Sequence, residues 1–170
     1  WAKDRGSLSP MINARAETAA TKPSFRAALK KRRCLVPIDG FYEWARKPKP
    51  GEPESGVAPG PYYFRASDQA VLAIAALWES WIDRESGEVV ESCALLTVGA
   101  NALMSPIHHR MPVLLAPGDW DIWLNSQEQA SDHVVPLLKP APVGLLEAFA
   151  VDRYVNNARH EGPRCIEPIA

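Results

Sequence analysis

Apolar and polar positions alternate in short runs along this chain, and proline or glycine interrupts almost every run. Residues 8–16 read as extended. Residues 25–33 read as a helix that starts after Pro23, with Ser24 as its N-cap. Residues 34–38 and 41–45 have β character, and Asp39-Gly40 between them is a hairpin-type turn signal. Further strands are predicted at 62–66, 71–77 and 89–98, the last one entered through Ser86-Gly87. Residues 100–105 predict one helical turn before Pro106, and residues 113–115 a short strand. A helix over 118–125 would present Trp120, Trp123 and Leu124 on one face. Residues 145–151 read as a last strand, and the chain is turn-rich from Tyr154.

Many short strands and a few short helices, with no regular strand–helix alternation, predict an α+β fold. The expected architecture is a compact single domain over residues 1–170, with a barrel-like, mainly antiparallel sheet. Sixteen prolines, roughly twice the usual ~5%, restrict helix length. Residues 46–61, dense in Pro, Gly and charge, read as an excursion between two strands of similar character. The longest apolar run, residues 70–78, is far short of the ~18 residues that suggest a membrane span.

Charge changes this picture more than composition does. The net charge is -1, yet residues 1–50 hold twelve Lys/Arg against four Asp/Glu, and residues 51–170 hold seven against sixteen. A basic half in a near-neutral protein fits an anionic partner, or else a solvated helix face built from Arg26, Lys30, Lys31, Arg32 and Arg33. Cys34, Cys93 and Cys165 are scattered, with no Cys-x-x-Cys pair. That spacing argues against a zinc site or a disulfide framework, and Cys34 and Cys93 read as small buried hydrophobes. No Gly-x-Gly-x-x-Gly or Walker pattern occurs, so no nucleotide cofactor is indicated, and the expectation is a protein with no cofactor. His108 and His109 are adjacent and would point opposite ways on an extended chain. Neither they nor His133 and His160 have metal-ligand spacing, so no metal is expected.

Three segments concentrate the candidate chemistry: residues 13–17, 40–44 and 107–112. Each lies at the edge of an apolar run, where a core can hold a side chain that still reaches a cleft. They are expected to assemble one active centre from distant parts of the chain. Strand alternation puts Glu43 on the face of Phe41 and Ala45, opposite Tyr42 and Trp44. A carboxylate there is partly desolvated and suited to general acid/base work, unless it is an edge-strand charge facing solvent. Asn13 and Arg15 share a face, with Ile12 and Ala14 opposite. An amide polarises a carbonyl or holds a water, and a guanidinium grips a phosphate. Arg110 offers the same grip.

Asn-Ala-Arg-x-Glu at 13–17, Gly-Phe-Tyr-Glu-Trp at 40–44, Thr-x-x-Ala-Asn at 97–101 and Ile-His-x-Arg-Met-Pro at 107–112, in this order, resemble the SOS response-associated peptidase (SRAP) family. Val155-Asn156-Asn157 fits its C-terminal pattern, and the resemblance runs from Trp1 to about Pro168. It implies a sensor of abasic sites in single-stranded DNA. In that family a cysteine freed by removal of the initiator methionine attacks the ring-opened sugar aldehyde. Its amine forms a Schiff base and its thiol closes a thiazolidine; an α-amine with a pKa near ~8 is partly nucleophilic at neutral pH. The resemblance assigns Asn13 to the amide beside the cysteine and sugar, Glu43 to the acid/base carboxylate, and His108 to sugar ring opening and crosslink reversal. It assigns Arg15 and Arg110 to phosphates, Thr97 to the DNA backbone and Trp1 to the bases at the lesion. His109 replaces an acidic residue often found there and receives no role.

The family's Met-Cys-Gly-Arg start is missing from this sequence, and Cys34, Cys93 and Cys165 offer no free α-amine. The expectation is that a segment of several dozen residues precedes Trp1 and that residues 1–170 alone do not crosslink DNA. The other expectations are a cytoplasmic, nucleoid-associated, bacterial monomer with no membrane contact. The competing function is a non-covalent single-stranded DNA-binding module without catalysis. A hydrolase built on Ser105 would lack the Gly-x-Ser-x-Gly elbow.

Overall fold

A computed structural model of the chain describes residues 11–51, 56–83, 85–127 and 131–169. Trp1 lies outside the described residues. The strands are β1 (Asn13–Arg15), β2 (Arg33–Ile38), β3 (Gly40–Ala45), β4 (Gly60–Ala66), β5 (Leu72–Ile82), β6 (Val89–Gly99), β7 (Arg110–Pro112) and β8 (Leu146–Ala150). The α-helices are α1 (Ala16–Ala19), α2 (Arg26–Lys31), α3 (Trp120–Leu124) and α4 (Ser131–Val134). The α+β class and the mainly antiparallel pairing therefore hold. The strands form two sheets, ordered β1-β6-β5-β2 with β7 also on β6, and β3-β4-β8. No closed barrel forms among the described residues. None of the described helices is long and apolar enough to cross a membrane.

The chain divides into two compact units. The first comprises Trp1–Pro37, Ala73–Val98 and Pro112–Lys139. Its core strand is β5, where Ala73 to Leu77 are all buried. Such a continuous apolar stretch fits a strand covered on both faces. β1 pairs with β6 in parallel, Asn13 opposite Leu95 and Arg15 opposite Thr97. Trp123 of α3 is 0% exposed and donates its indole N–H to the Cys34 carbonyl at 2.8 Å.

Arg33 corrects the reading of its charge cluster as a solvated face. It is 7% exposed, and its guanidinium donates to the carbonyls of Trp123 at 2.6 Å, Leu29 at 2.8 Å, Lys30 at 2.9 Å and Asn125 at 2.6 Å. These carbonyls end α2 and α3, whose last C=O groups have no partner within the helix. Arg26, Lys30 and Lys31 remain exposed. α2 is also shorter than predicted: Phe25, not Ser24, is the N-cap, because the Phe25 N–H already bonds the Lys22 carbonyl in a preceding turn. Leu124 is 48% exposed, so the buried face of α3 is set by Trp123; the next residue rotates ~100° away. Cys93 is exposed rather than buried, and burial pushes the Cys34 thiol up from its ordinary range.

The second unit comprises Ile38–Leu72, Gly99–Met111 and Pro140–Ala170. Its sheet is held by aromatic rows across the strands. Tyr42, Tyr63 and Phe149 are register partners, with ring centroids 5.1 and 5.8 Å apart, and Phe41 stacks on Phe64 at 5.1 Å. β3 and β4 pair from Gly40↔Arg65 to Ala45↔Gly60, which makes residues 46–59 the predicted excursion. The hairpin predicted at Asp39-Gly40 does not form: β2 and β3 belong to different sheets. Gly40 is required for a different reason. A Cβ there would lie 2.4 Å from the Phe64 carbonyl oxygen and from Cζ and Oη of Tyr63. The glycine lets β4 approach closely, and its pairing with Asp39 only resembles turn chemistry.

Candidate active site

Glu43 sits on β3, at the edge of its sheet, with Tyr62 as its cross-strand partner. Register keeps it on the face of Phe41 and Ala45, as the alternation predicted. Its side chain is 28% exposed. Burial pushes its carboxyl above the ordinary carboxylate range, while the charge of His108, the Trp44 backbone N–H and His109 pull it back down. The upward push prevails, giving a carboxyl held closer to neutral pH, where a proton carrier works best.

His108 reaches Glu43 from the turn that follows β6. Its Nδ1 lies 3.6 Å from Glu43 Oε1, and its side chain is 34% exposed. The turn is held by the Met104 carbonyl, which accepts the backbone N–H groups of Ile107 and His108, both at 2.9 Å. Met104 is 0% and Ile107 is 7% exposed, so the core anchors the backbone that carries the imidazole. His108 Nδ1 is also 3.0 Å from the Arg110 carbonyl and 3.2 Å from the Arg110 N–H. A protonated Nδ1 donates to the carbonyl, and a bare Nδ1 accepts from the N–H. The Arg110 backbone thus satisfies Nδ1 in either tautomer.

The prediction that His108 and His109 diverge is overturned. Their ring centroids are 4.5 Å apart at 49°. The alternation argument assumed an extended chain, but residues 102–107 turn and only Arg110 re-enters a strand. His109 is exposed and lies near enough to Glu43 to act on its charge. It is a member of the site that the sequence reading left without a role. The signal for it was its position beside His108, set aside on the wrong local geometry.

Arg110 leads β7 and is half-buried. Its backbone brackets His108 Nδ1, as described. The first unit gathers the other candidates along β1 and β6. Asn13 and Arg15 are exposed on either side of Ala14, which is 1% exposed. Arg15 is directly opposite Thr97, whose hydroxyl donates to the Ala14 carbonyl at 3.4 Å. Ile12, expected to share the Ala14 side, is 65% exposed because β1 begins only at Asn13. Asn13, Arg15 and Thr97 therefore form one short polar row in this unit, and Glu43, His108, His109 and Arg110 form a cluster in the other.

A family model described as SOS response associated peptidase (SRAP) matches residues 1–158. The abasic site processing protein YoqW of Bacillus subtilis (strain 168) is 38% identical over 167 residues, covering 98% of this chain and 71% of that protein. The abasic site processing protein HMCES of Gallus gallus is 31% identical over 170 residues, covering 92% of this chain and 50% of that protein. A crystal structure of a Bacteroides thetaiotaomicron protein superposes with a TM-score of 0.80 at 28% identity, covering 92% of this chain and 66% of that one. With the family model matched over most of its length, this chain belongs to the SOS response associated peptidase (SRAP) family.

Proposed function

We propose that this protein processes abasic sites by capturing them covalently in single-stranded DNA. The observation that carries the reading is the Glu43–His108 pair at 3.6 Å, with the carboxyl raised by burial. The names of the relatives, abasic site processing proteins, support the same reading. The nucleophile is an N-terminal cysteine, which residues 1–170 do not include. Removal of the initiator methionine by the protein itself exposes that cysteine.

The chemistry balances as a condensation. The α-amine adds to the aldehyde carbon of the ring-opened sugar. One proton moves from nitrogen to oxygen to give the carbinolamine, which then loses its hydroxyl and the second nitrogen proton as water to give the imine. The thiol then adds to the imine carbon, its proton passes to nitrogen, and the thiazolidine closes. Each step needs a group that takes a proton at one moment and returns it at the next. Glu43 carries those protons, and His108 assists the opening of the sugar ring and the reversal of the crosslink. Asn13 orients the sugar beside the cysteine. Arg15 and Arg110 hold phosphates, Thr97 contacts the backbone, and Trp1 abuts the bases.

The test is the intact mass of the full-length natural protein after incubation with single-stranded DNA carrying one abasic site. The expected result is an adduct that survives denaturation and is lost when the N-terminal cysteine becomes alanine. Glu43→Gln should slow its formation by about 10²-fold or more, the usual contribution of a placed general acid/base. Reversible, salt-sensitive binding with no adduct would refute the reading and leave a non-covalent DNA-binding module.

A further inference from the structure

The Asn101 side chain ties the turn that carries His108 to the segment at Ala141, and the functional reading gives Asn101 itself no role. Its Oδ1 accepts the Met104 N–H at 3.1 Å, and its Nδ2 donates to the Ala141 carbonyl at 3.0 Å. The first bond fixes which end of the amide is oxygen, so the second follows with the nitrogen correctly placed. The Asn101 carbonyl accepts the N–H groups of Met104 at 3.2 Å and Ser105 at 2.9 Å. Met104 in turn carries His108 through its own carbonyl at 2.9 Å, and the Ala100 N–H closes the base of the loop on the His109 carbonyl at 3.1 Å. Ala141 is 3% exposed, so the far anchor is part of the core. A chain of short bonds thus runs from a buried carbonyl, through one amide, to the backbone of the histidine that faces Glu43.

We infer that Asn101 is a positioning residue: its amide holds the 101–108 turn in the one conformation that sets the His108 imidazole against Glu43. The inference deepens the functional reading above and rests on it for its catalytic meaning. No other side chain of common size offers an acceptor and a donor on one short planar group at this spacing. Aspartate keeps the bond to Met104 but turns a second oxygen on the Ala141 carbonyl. Alanine loses both bonds. Glutamine carries the same amide one methylene too far out.

The experiment follows the Glu43 carboxyl itself by ¹³C NMR titration of the full-length natural protein, with the resonance assigned by its loss in Glu43→Gln. His108 is the first of the groups that pull this carboxyl down. Displacing the imidazole should therefore raise the Glu43 midpoint. Asn101→Ala is expected to raise it in the same direction as His108→Gln, and the double variant to add nothing beyond His108→Gln alone. Asn101→Asp, which keeps the Met104 bond, should fall between wild type and Asn101→Ala and serves if the alanine variant does not fold. A folded Asn101→Ala or Asn101→Asp protein of lower stability with an unmoved Glu43 midpoint would overturn the inference and leave Asn101 a purely structural residue. Abasic-site adduct formation, measured in parallel, separates the two claims. A shifted midpoint with an unchanged adduct rate leaves the positioning role standing and refutes the catalytic role of the pair.

Discussion

Replacing Arg33 by methionine tests whether the basic cluster around α2 is surface charge or internal scaffold. Methionine keeps much of the apolar stem and removes only the guanidinium. The group donates to four carbonyl oxygens, and the bonds to Trp123 and Leu29 are buried while those to Lys30 and Asn125 are partly so. The partly buried carbonyls regain water when the guanidinium is lost. The two buried ones do not, and each buried acceptor left unpaired costs about 1–3 kcal/mol. Relief of the buried charge returns part of that loss. The expected destabilisation is therefore about 2–4 kcal/mol. In urea, with a slope of about 1–3 kcal/mol/M, the midpoint should fall by roughly 1 M or more at unchanged slope. Arg33→Lys should recover little, because an ammonium cannot fork toward both helix ends. A midpoint shift under about 0.3 M would refute the reasoning and return Arg33 to the surface.

Gly40→Ala should destabilise by about 1–3 kcal/mol, measured by the same denaturation, since its Cβ would press on the Phe64 carbonyl at 2.4 Å. Glu43→Gln should change the pH dependence of thermal stability with a defined sign. The folded carboxyl has its pKa raised, so wild type binds that proton more tightly than the unfolded chain and loses this stability as pH climbs from the ordinary carboxylate range through the folded value. The melting temperature of Glu43→Gln relative to wild type should therefore increase with pH across that window; a decrease would mean that His108 outweighs burial. On the proposed function, changing the exposed Arg26, Lys30 and Lys31 to alanine should weaken single-stranded DNA binding and flatten its log–log salt dependence by up to about 2. An unchanged slope would mean that the DNA runs elsewhere.

Strands were legible where burial wrote the pattern. Residues 72–77 of the apolar run that predicted a strand are the buried half of β5, and the aromatic residues of β3 and β4 face one another across a continuous ladder. The misses in strand length and strand pairing share a cause: the deciding partner is distant in sequence. β5 extends to Ile82 because β6 pairs with its exposed half, Ile82 opposite Val89. The parallel pairing of β1 joins residues more than eighty positions apart, as Asn13↔Leu95 shows, and nothing near Asn13 signals it. Arg33 reads as one more charge in a basic run, because the carbonyls that bury it come from Leu29 and Lys30 on one side and from Trp123 and Asn125 on the other.

The segment Gly40-Phe41-Tyr42-Glu43-Trp44 shows why the site was more legible than the topology. Five adjacent residues carry separable demands. Gly40 admits the Tyr63 ring, and Tyr42 joins the aromatic ladder and donates its hydroxyl to the Cys165 carbonyl at 3.1 Å. Trp44, 47% exposed, donates its indole N–H to Asn156 Oδ1 at 2.8 Å. Phe41 stacks on Phe64, and Glu43 brings the one carboxyl of the five. Period-two alternation alone places that carboxylate on an apolar face, where desolvation raises it. The same rule failed one segment later, at His108-His109, because alternation holds only where the backbone is extended. There the turn through Met104 sets both imidazoles side by side and adds a second positive influence on Glu43. A reading by alternation is therefore as good as the strand beneath it. For this site it found the carboxylate on β3 and missed the neighbour of its histidine.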